Sequence, residues 1–306
     1  MFRQLCRISD DVEWSPRDGN LAVLRPRVEM TSVVEIDIAA QRARVPDVPD
    51  WTHEYFECGY GQRWGLLPPS DHVRREAEEL SNLLQLSPVS RVVDIGCGHG
   101  RHALALAERG IDVIGLDSAA ALLNRARQLA DALRVHVRWV RGDMRRLPFR
   151  GESAGGATIL DAFGFFDTED EHESVLREAA RVLRPDSRLA LKVVNGGQVL
   201  DDFRSQQREE RDGVVVSVVN TLSFDPPRMT QRIAIRGSRG DGEYERRQRL
   251  YRVEELRAAI EHAGLSVVGV FGNADGAPFD PASSSTMWII AQRGAVVSHR
   301  LRTAGV

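Results

Sequence analysis

The stretch VVDIGCGHGRH, residues 92–102, places three glycines within five residues directly after an apolar run. RVVDIG, residues 91–96, is typical of a buried strand, and RHALALAERG, residues 101–110, of a helix that ends at its last glycine. Glycines at such a strand-to-helix turn let the backbone approach a ligand closely, and the free N–H groups of the helix favour an anionic group. The stretch alone leaves the ligand open between a metal, a phosphate, a dinucleotide and another cofactor.

Apolar runs and helical patterns alternate downstream of this stretch. Further strands are predicted at IDVIGLD (111–117), VHVRWVRGD (135–143), GATILDAFG (156–164) and LALKVV (189–194). Helices are predicted at 119–133, with Ser118 as the capping residue, and near 171–183, followed by a turn at RPDSR. This alternation predicts an α/β fold whose doubly wound, mostly parallel sheet carries helices on both faces.

The pattern changes after residue 195. Three β-rich runs within about 213–251, separated by Asp-Pro-Pro and Gly-Asp-Gly turns, predict an inserted antiparallel β meander. A helix at 253–264 and strands at 266–271 and 286–292 then restore the α/β pattern. The predicted organisation is an N-terminal β extension and linker (1–50), a lid with an N-terminal helix (51–88), the main domain (89–294) and a tail (295–306).

Composition predicts a soluble globular protein. The 306 residues are 42% hydrophobic and 28% charged with a net charge of −3, which gives no indication of nucleic-acid or membrane-surface binding. Cys6, Cys58 and Cys97 are far apart and form no CxxC pair, which indicates a reducing compartment. The N-terminus lacks the apolar stretch of a signal peptide, and no run reaches the ~18 apolar residues of a membrane span. A cytoplasmic location is therefore expected.

Residues around the glycine turn narrow the choice of ligand. The dinucleotide pattern GxGxxG would place glycine at position 101, where this chain has Arg101. Asp117 ends the second strand and suits two ribose hydroxyls, and Asp143 ends the third, where it can accept a hydrogen bond from an adenine amine. The absence of GK[ST] excludes a Walker loop.

A metal site is not predicted at the same turn. Its ligands would be Cys97, His99 and His102, three groups within six residues of one tight turn. Such a group cannot readily surround zinc, and no matched second cluster exists.

The motifs in order resemble those of class I S-adenosylmethionine-dependent methyltransferases. The similar segments are VVDIGCGHGRHALALAERG, VIGLDSAAALLNRAR, VRWVRGDMRRLPF, ATILDAFGFF and VLRPDSRLAL, and the resemblance covers roughly residues 51–293. It implies a Rossmann-like, seven-stranded, mostly parallel sheet and S-adenosyl-L-methionine as cofactor. Details such as DAFGFFDTEDEHESVLREAARVLRP are similar to a bacterial small-molecule branch, many of whose members modify natural products or sugars.

The resemblance also implies roles for individual residues. Those expected at the cofactor are Asp94, Gly96, Gly98, Gly100, Asp117, Ser118, Asp143, Met144 and Asp161. Aromatic residues near a sulfonium or a cationic acceptor offer cation–π stabilisation of ~0.5–2 kcal/mol. The candidate acceptor pocket accordingly comprises Tyr55, Tyr60, Trp64, Phe163, Phe166 and Tyr251.

The acceptor atom stays open between nitrogen and oxygen. A neutral amine can attack without help, whereas a hydroxyl needs a positioned base, for which His53 and His172 are the main candidates and Asp167 and Glu169 further ones. The acidic run DTEDEHE, which contains Asp167, Glu169 and His172, is more typical of a solvated helix start than of a base.

A small-molecule acceptor is the main functional hypothesis. Two alternatives are a methyltransferase for a peptide or RNA and a non-catalytic regulatory protein that retains the cofactor fold. The arginines at 125–150 alternate with aspartates and apolar residues, which favours a solvated face over an RNA-binding patch. The N-terminal β segment is interpreted as a hairpin that packs on the domain or forms a homodimer contact.

Overall fold

The computed structural model describes residues 50–87 and 89–294. Apart from Asp50, the predicted N-terminal extension lies outside the described residues, as does the predicted tail 295–306. The helices are α1 (Asp50–Glu54), α2 (Tyr60–Trp64), α3 (Asp71–Leu83), α4 (Arg101–Glu108), α5 (Ala120–Leu133), α6 (Glu169–Val182), α7 (Gly196–Asp201) and α8 (Val253–His262), and a π-helical turn, Tyr55–Gly59, joins α1 to α2.

Eleven strands follow one another in the described part of the chain. They are β1 (Arg91–Ile95), β2 (Asp112–Asp117), β3 (Val137–Arg141), β4 (Ala154–Leu160), β5 (Leu183–Val194), β6 (Gln206–Arg211), β7 (Val214–Ser223), β8 (Arg228–Gly237), β9 (Gly242–Arg249), β10 (Leu265–Phe271) and β11 (Thr286–Arg293).

Seven of these strands form the main sheet, in the order β10-β11-β5-β4-β1-β2-β3. The pairs among β1 to β5 are parallel, and β11 is antiparallel to both of its neighbours, β5 and β10. Side chains of α3, α4 and α5 pack with those of β1, β2 and β3 in one apolar cluster. The predicted α/β fold with a seven-stranded, mostly parallel sheet is confirmed. Because parallel strands end at the same edge, the residues that follow β1 to β5 come together there.

The inserted meander is a separate antiparallel sheet of four strands, β6-β7-β8-β9. The prediction of three β-rich runs was wrong by one strand. The missed strand is β6, QQREER, in which every residue is exposed and none is apolar. A strand without a buried face carries no alternating pattern to detect.

Two local predictions also need correction, and one short helix was not predicted. RPDSR lies within β5, where Asp186 adopts a positive φ of 64° and the pairing with β4 shifts register, so it bends the strand without ending it. Ser118 does not cap α5, because the helix begins after Ala119, whose N–H is bonded by the Asp117 side chain. Residues 196–201 form the short helix α7, capped by Asn195.

Within the described residues, no helix is both long and apolar enough to cross a membrane.

Candidate active site

The carboxyl ends of β1, β2, β4 and β5 open into a cavity of about 580 Å³. One side of the cavity is formed by the glycine turn and the residues that follow these strands. The other side is formed by the lid segment 50–68 and by the meander strand β9. Carboxylates lie on the first side, and the second side combines aromatic side chains of the lid segment with polar side chains of β9.

The glycine turn brings backbone to the cavity wall. Gly96 and Gly98 line the cavity with positive φ angles of 73° and 58°. A Cβ added at Gly96 would lie 2.5 Å from the Cβ of Ala162 and 2.9 Å from Cε of Met144. Only glycine fits there, because a side chain would be both strained and in collision.

Asp117 lies at the end of β2 and joins the turn to the next helix. Its Oδ2 accepts a hydrogen bond from the Gly98 N–H at 2.7 Å, and its Oδ1 accepts one from the Ala119 N–H at 2.9 Å. Burial raises the pKa of Asp117 to about 6, although these two backbone bonds oppose the shift. Each carboxylate oxygen keeps a further acceptor site, so the group can still bind hydroxyls of a ligand.

Asp143 and Met144 line the cavity beyond β3. Arg145 donates to both Asp143 oxygens, from Nε at 3.1 and 3.0 Å and from Nη2 to Oδ2 at 2.6 Å. Arg145 also donates to Glu171 and stacks over Phe166 at 4.6 Å. These contacts fix the orientation of the Asp143 carboxylate at the strand end.

A group of charged side chains surrounds the end of β4. Asp161 accepts a hydrogen bond from Arg101 at 2.8 Å and forms an ion pair with Lys192 at 3.0 Å. Asp94 is buried below the turn, where its Oδ1 accepts a hydrogen bond from Thr158 at 2.7 Å and burial raises its pKa. Asp94 and Asp161 both line the cavity, as does the exposed Ser118.

Two histidines of the glycine turn also line the cavity. Burial, aided by the charges of Arg101 and Arg125, lowers the pKa of His99 to about 4, so its imidazole is neutral at pH 7. His102 lies 3.1 Å from Glu76. Although burial alone would raise it, the hydrogen bond with His102 and the Lys192 charge bring the pKa of Glu76 to about 2.

The predicted aromatic pocket is only partly assembled. Tyr60, Trp64 and Phe166 line the cavity. Tyr55 does not, because it is fully buried against the meander. Phe163 and Tyr251 are also buried outside the cavity, where their rings pack at 5.6 Å.

The structure does not bring the two candidate bases into the cavity. His53 is exposed on α1. His172 is buried, with its Nε2 accepting the Phe166 N–H at 3.1 Å and its Nδ1 2.9 Å from the Tyr251 hydroxyl. Both ring nitrogens are thus used in packing the loop after β4, and His172 stabilises this loop.

Gly100 also lies outside the cavity. A Cβ there would meet the Trp139 ring at 2.4 Å, so its glycine serves the packing of β3 against the turn.

Several lining residues were missed in the sequence. They are Lys192, Arg211, Arg246 and Gln248, whereas Phe56 and Phe165 belong to the aromatic runs expected at the acceptor pocket. The sequence did single out Lys192, because it is the only lysine among the 306 residues. It did not single out the residues of β9, because the charges in GEYERRQR alternate and do not indicate which face of the strand contacts the main domain.

Residues 92–186 match the family model described as a methyltransferase domain. The chain is 39% identical over 120 residues to the demethylmenaquinone methyltransferase of Thermus thermophilus, which covers 39% of this chain and 52% of that enzyme. The chain thus spans about half the length of this relative.

Two solved structures share the fold over most of the chain. The CcbJ methyltransferase from Streptomyces caelestis is 21% identical with a TM-score of 0.67, over 79% of this chain and 98% of that one. S-adenosylmethionine-bound CalS10, an amino pentose methyltransferase from Micromonospora echinaspora, is 23% identical with a TM-score of 0.54, over 77% and 94%.

Proposed function

We propose, from the premise that residues 92–186 are a methyltransferase domain, that the chain transfers a methyl group from S-adenosyl-L-methionine to a small molecule. The observation that carries the proposal is that the glycine turn, Asp117 and Asp143 line one cavity of about 580 Å³ together with aromatic residues of the lid. A cavity of this size suits a cofactor and a small acceptor.

The residues present fit the cofactor. The backbone of Gly96 and Gly98 lines the cavity without a side chain, Asp117 offers acceptor sites for the ribose hydroxyls, and the fixed Asp143 carboxylate can accept from the adenine amine. Met144 would pack against the adenine ring. When bound, the cofactor supplies an already activated methyl group, so the chain contributes alignment and exclusion of water. Such positioning can contribute up to ~7–11 kcal/mol to lowering the barrier.

Nitrogen is the favoured acceptor atom. A neutral amine needs no base, whereas a hydroxyl does. Neither candidate base lines the cavity, and His99, which does, is a weak proton acceptor with its pKa of about 4. CalS10, whose fold is similar, acts on an amino pentose, which supports the same choice.

Calorimetry with the full chain tests the cofactor assignment. The protein is expected to bind S-adenosylmethionine, and Asp117→Ala to weaken binding at least tenfold, or about 1.4 kcal/mol, because the ribose acceptor and the bond to Gly98 are lost. Asp131→Ala, at an exposed position of α5, is the matched control and should bind normally. Normal affinity in Asp117→Ala would contradict the ribose role.

A further inference from the structure

Arg246, on β9 of the meander, is a cavity-lining cation without a carboxylate partner. Among residues 50–87 and 89–294, no acidic group lies within ion-pairing distance of its guanidinium. Its Nε is inaccessible to water and makes no hydrogen bond. Its Nη2 donates only to the neutral Gln248 side chain, at 3.5 Å, and the guanidinium lies 5.6 Å from the centre of the Phe165 ring.

Two other arginines near the site are paired with carboxylates. Arg249, three residues further on, pairs with Glu169 at 3.2 Å and Glu255 at 2.7 Å. Arg145 pairs with Asp143 and Glu171. Arg246 differs from both in having no carboxylate within ion-pairing distance among the described residues.

The lack of a paired carboxylate has a physical consequence. Burial and the nearby Arg63 charge lower the pKa of Arg246, against the opposing charge of Asp161, and a guanidinium keeps its proton at any physiological pH. A partly buried cation without a directly bonded carboxylate is unfavourable. An anion that enters the cavity would therefore be bound more strongly than a neutral group of the same shape.

We propose that the methyl acceptor carries a carboxylate and that Arg246 binds it. This inference rests on the proposed function and deepens it. The Asp117 and glycine-turn groups that would hold the cofactor belong to the main sheet, whereas Arg246 lies on the meander beside Phe165 and Gln248. The anion is therefore assigned to the acceptor, and the carboxylate of the cofactor is the competing source. In this arrangement Arg246 orients the acceptor so that the acceptor's neutral amine nitrogen would bond to the methyl carbon as the sulfur–methyl bond breaks. S-adenosylhomocysteine would then be the leaving group, and the proton of the methylated ammonium would pass to water.

A pair of isosteric probes tests the proposal. The full chain, saturated with S-adenosylhomocysteine, is titrated with phenylacetate and with the neutral phenylacetamide in calorimetry. The wild type is expected to bind phenylacetate at least tenfold more tightly. Arg246→Met should abolish this preference, and Arg246→Lys, which keeps the charge, should retain part of it. Arg247→Met is the matched control, because Arg247 is exposed and pairs with Glu245, and it should behave as the wild type.

The outcomes separate the two sources of the anion. Equal binding of both probes by the wild type, or an unchanged preference in Arg246→Met, would overturn the proposal. A fall in S-adenosylhomocysteine affinity in Arg246→Met but not in Arg247→Met would assign Arg246 to the cofactor carboxylate and also overturn it. Failure of the wild type to bind S-adenosylhomocysteine would instead refute the proposed function.

Discussion

Gly100 and Gly110 share a φ of 81° but differ in their surroundings. Gly100 opens α4, and a Cβ there would lie 2.4 Å from Cη2 of Trp139 and 3.3 Å from Cβ of Ala126. Gly110 ends the same helical segment, and an added Cβ would meet nothing within 4 Å. Substitutions at the two positions therefore distinguish the cost of backbone strain from the cost of steric collision.

Gly110→Ala is expected to reduce the free energy of unfolding by about 1–2 kcal/mol, the cost of placing an L-residue in the left-handed region. Gly100→Ala should cost about 2 kcal/mol more, because the Trp139 ring must also move. Urea unfolding of both variants measures the difference. Equal losses would show that the packing of Trp139 adapts freely.

At the level of residues, the sequence predicted positions that are determined by local chain geometry. Asp94, Asp117 and Asp143 line the cavity because each lies in or directly after a strand whose end the sequence marks. His172 and Phe163 were misjudged because their surroundings depend on Tyr251, which follows the meander some 80 residues later. No local pattern reports such a contact.

A carboxylate of the lid segment binds the start of α5, in addition to the hydrogen bond that Arg125 of α5 donates to the Leu66 carbonyl at 2.9 Å. Glu57, in the π-helical turn, accepts hydrogen bonds from the N–H groups of Ala120 and Ala121, each at 2.7 Å. These are unpaired donors of the first turn of α5, where a negative charge is stabilising. Glu57 thus caps a helix from 63 residues away in the sequence, which replaces the predicted cap Ser118.

Glu57→Ala is expected to lower the free energy of unfolding by about 1–3 kcal/mol, because two bonds to a charged acceptor are lost. Hydrogen exchange in residues 50–64 should also become faster, since the lid segment loses two of its hydrogen bonds to α5. Glu54→Ala, at an exposed position of the same segment, is the control. Unchanged exchange in Glu57→Ala would show that other contacts hold the lid.

At the level of elements, strands of the main sheet could be predicted because they are buried on both faces and read as continuous apolar runs. The bend at Asp186 could not, because Arg-Pro-Asp-Ser is as typical of a turn as of a bulge within a strand. The helical structure of residues 50–64 could not be predicted either, because the positions of its aromatic residues reflect contacts with the meander.

Across the whole molecule, Tyr55 connects the lid to the second sheet. Its side chain is fully buried among valines and isoleucines of β7 and β8, namely Val214, Val216, Val218, Ile233 and Ile235. Its hydroxyl is buried and makes no hydrogen bond to any described residue. The predicted lid and the predicted meander, separate in sequence, therefore form one packed unit over the site.

Tyr55→Ala is expected to cost about 3–5 kcal/mol of unfolding free energy, because it leaves a large cavity between the lid and the meander. Tyr55→Phe should be neutral or stabilising, because it removes an unsatisfied buried hydroxyl. Denaturant unfolding of the two variants gives both values. A clear destabilisation by Tyr55→Phe would mean that the hydroxyl has a partner in solution.

Lys192 allows the cavity to be labelled selectively. Within these 306 residues it carries the only side-chain amine, and this amine lies on the cavity wall beside Asp161 with its side chain 13% exposed. A reagent selective for primary amines thus has one side-chain target, located where ligands would enter. The extent of labelling at this single site, measured by mass spectrometry, therefore reports whether the cavity is occupied. The measurement requires no knowledge of the acceptor.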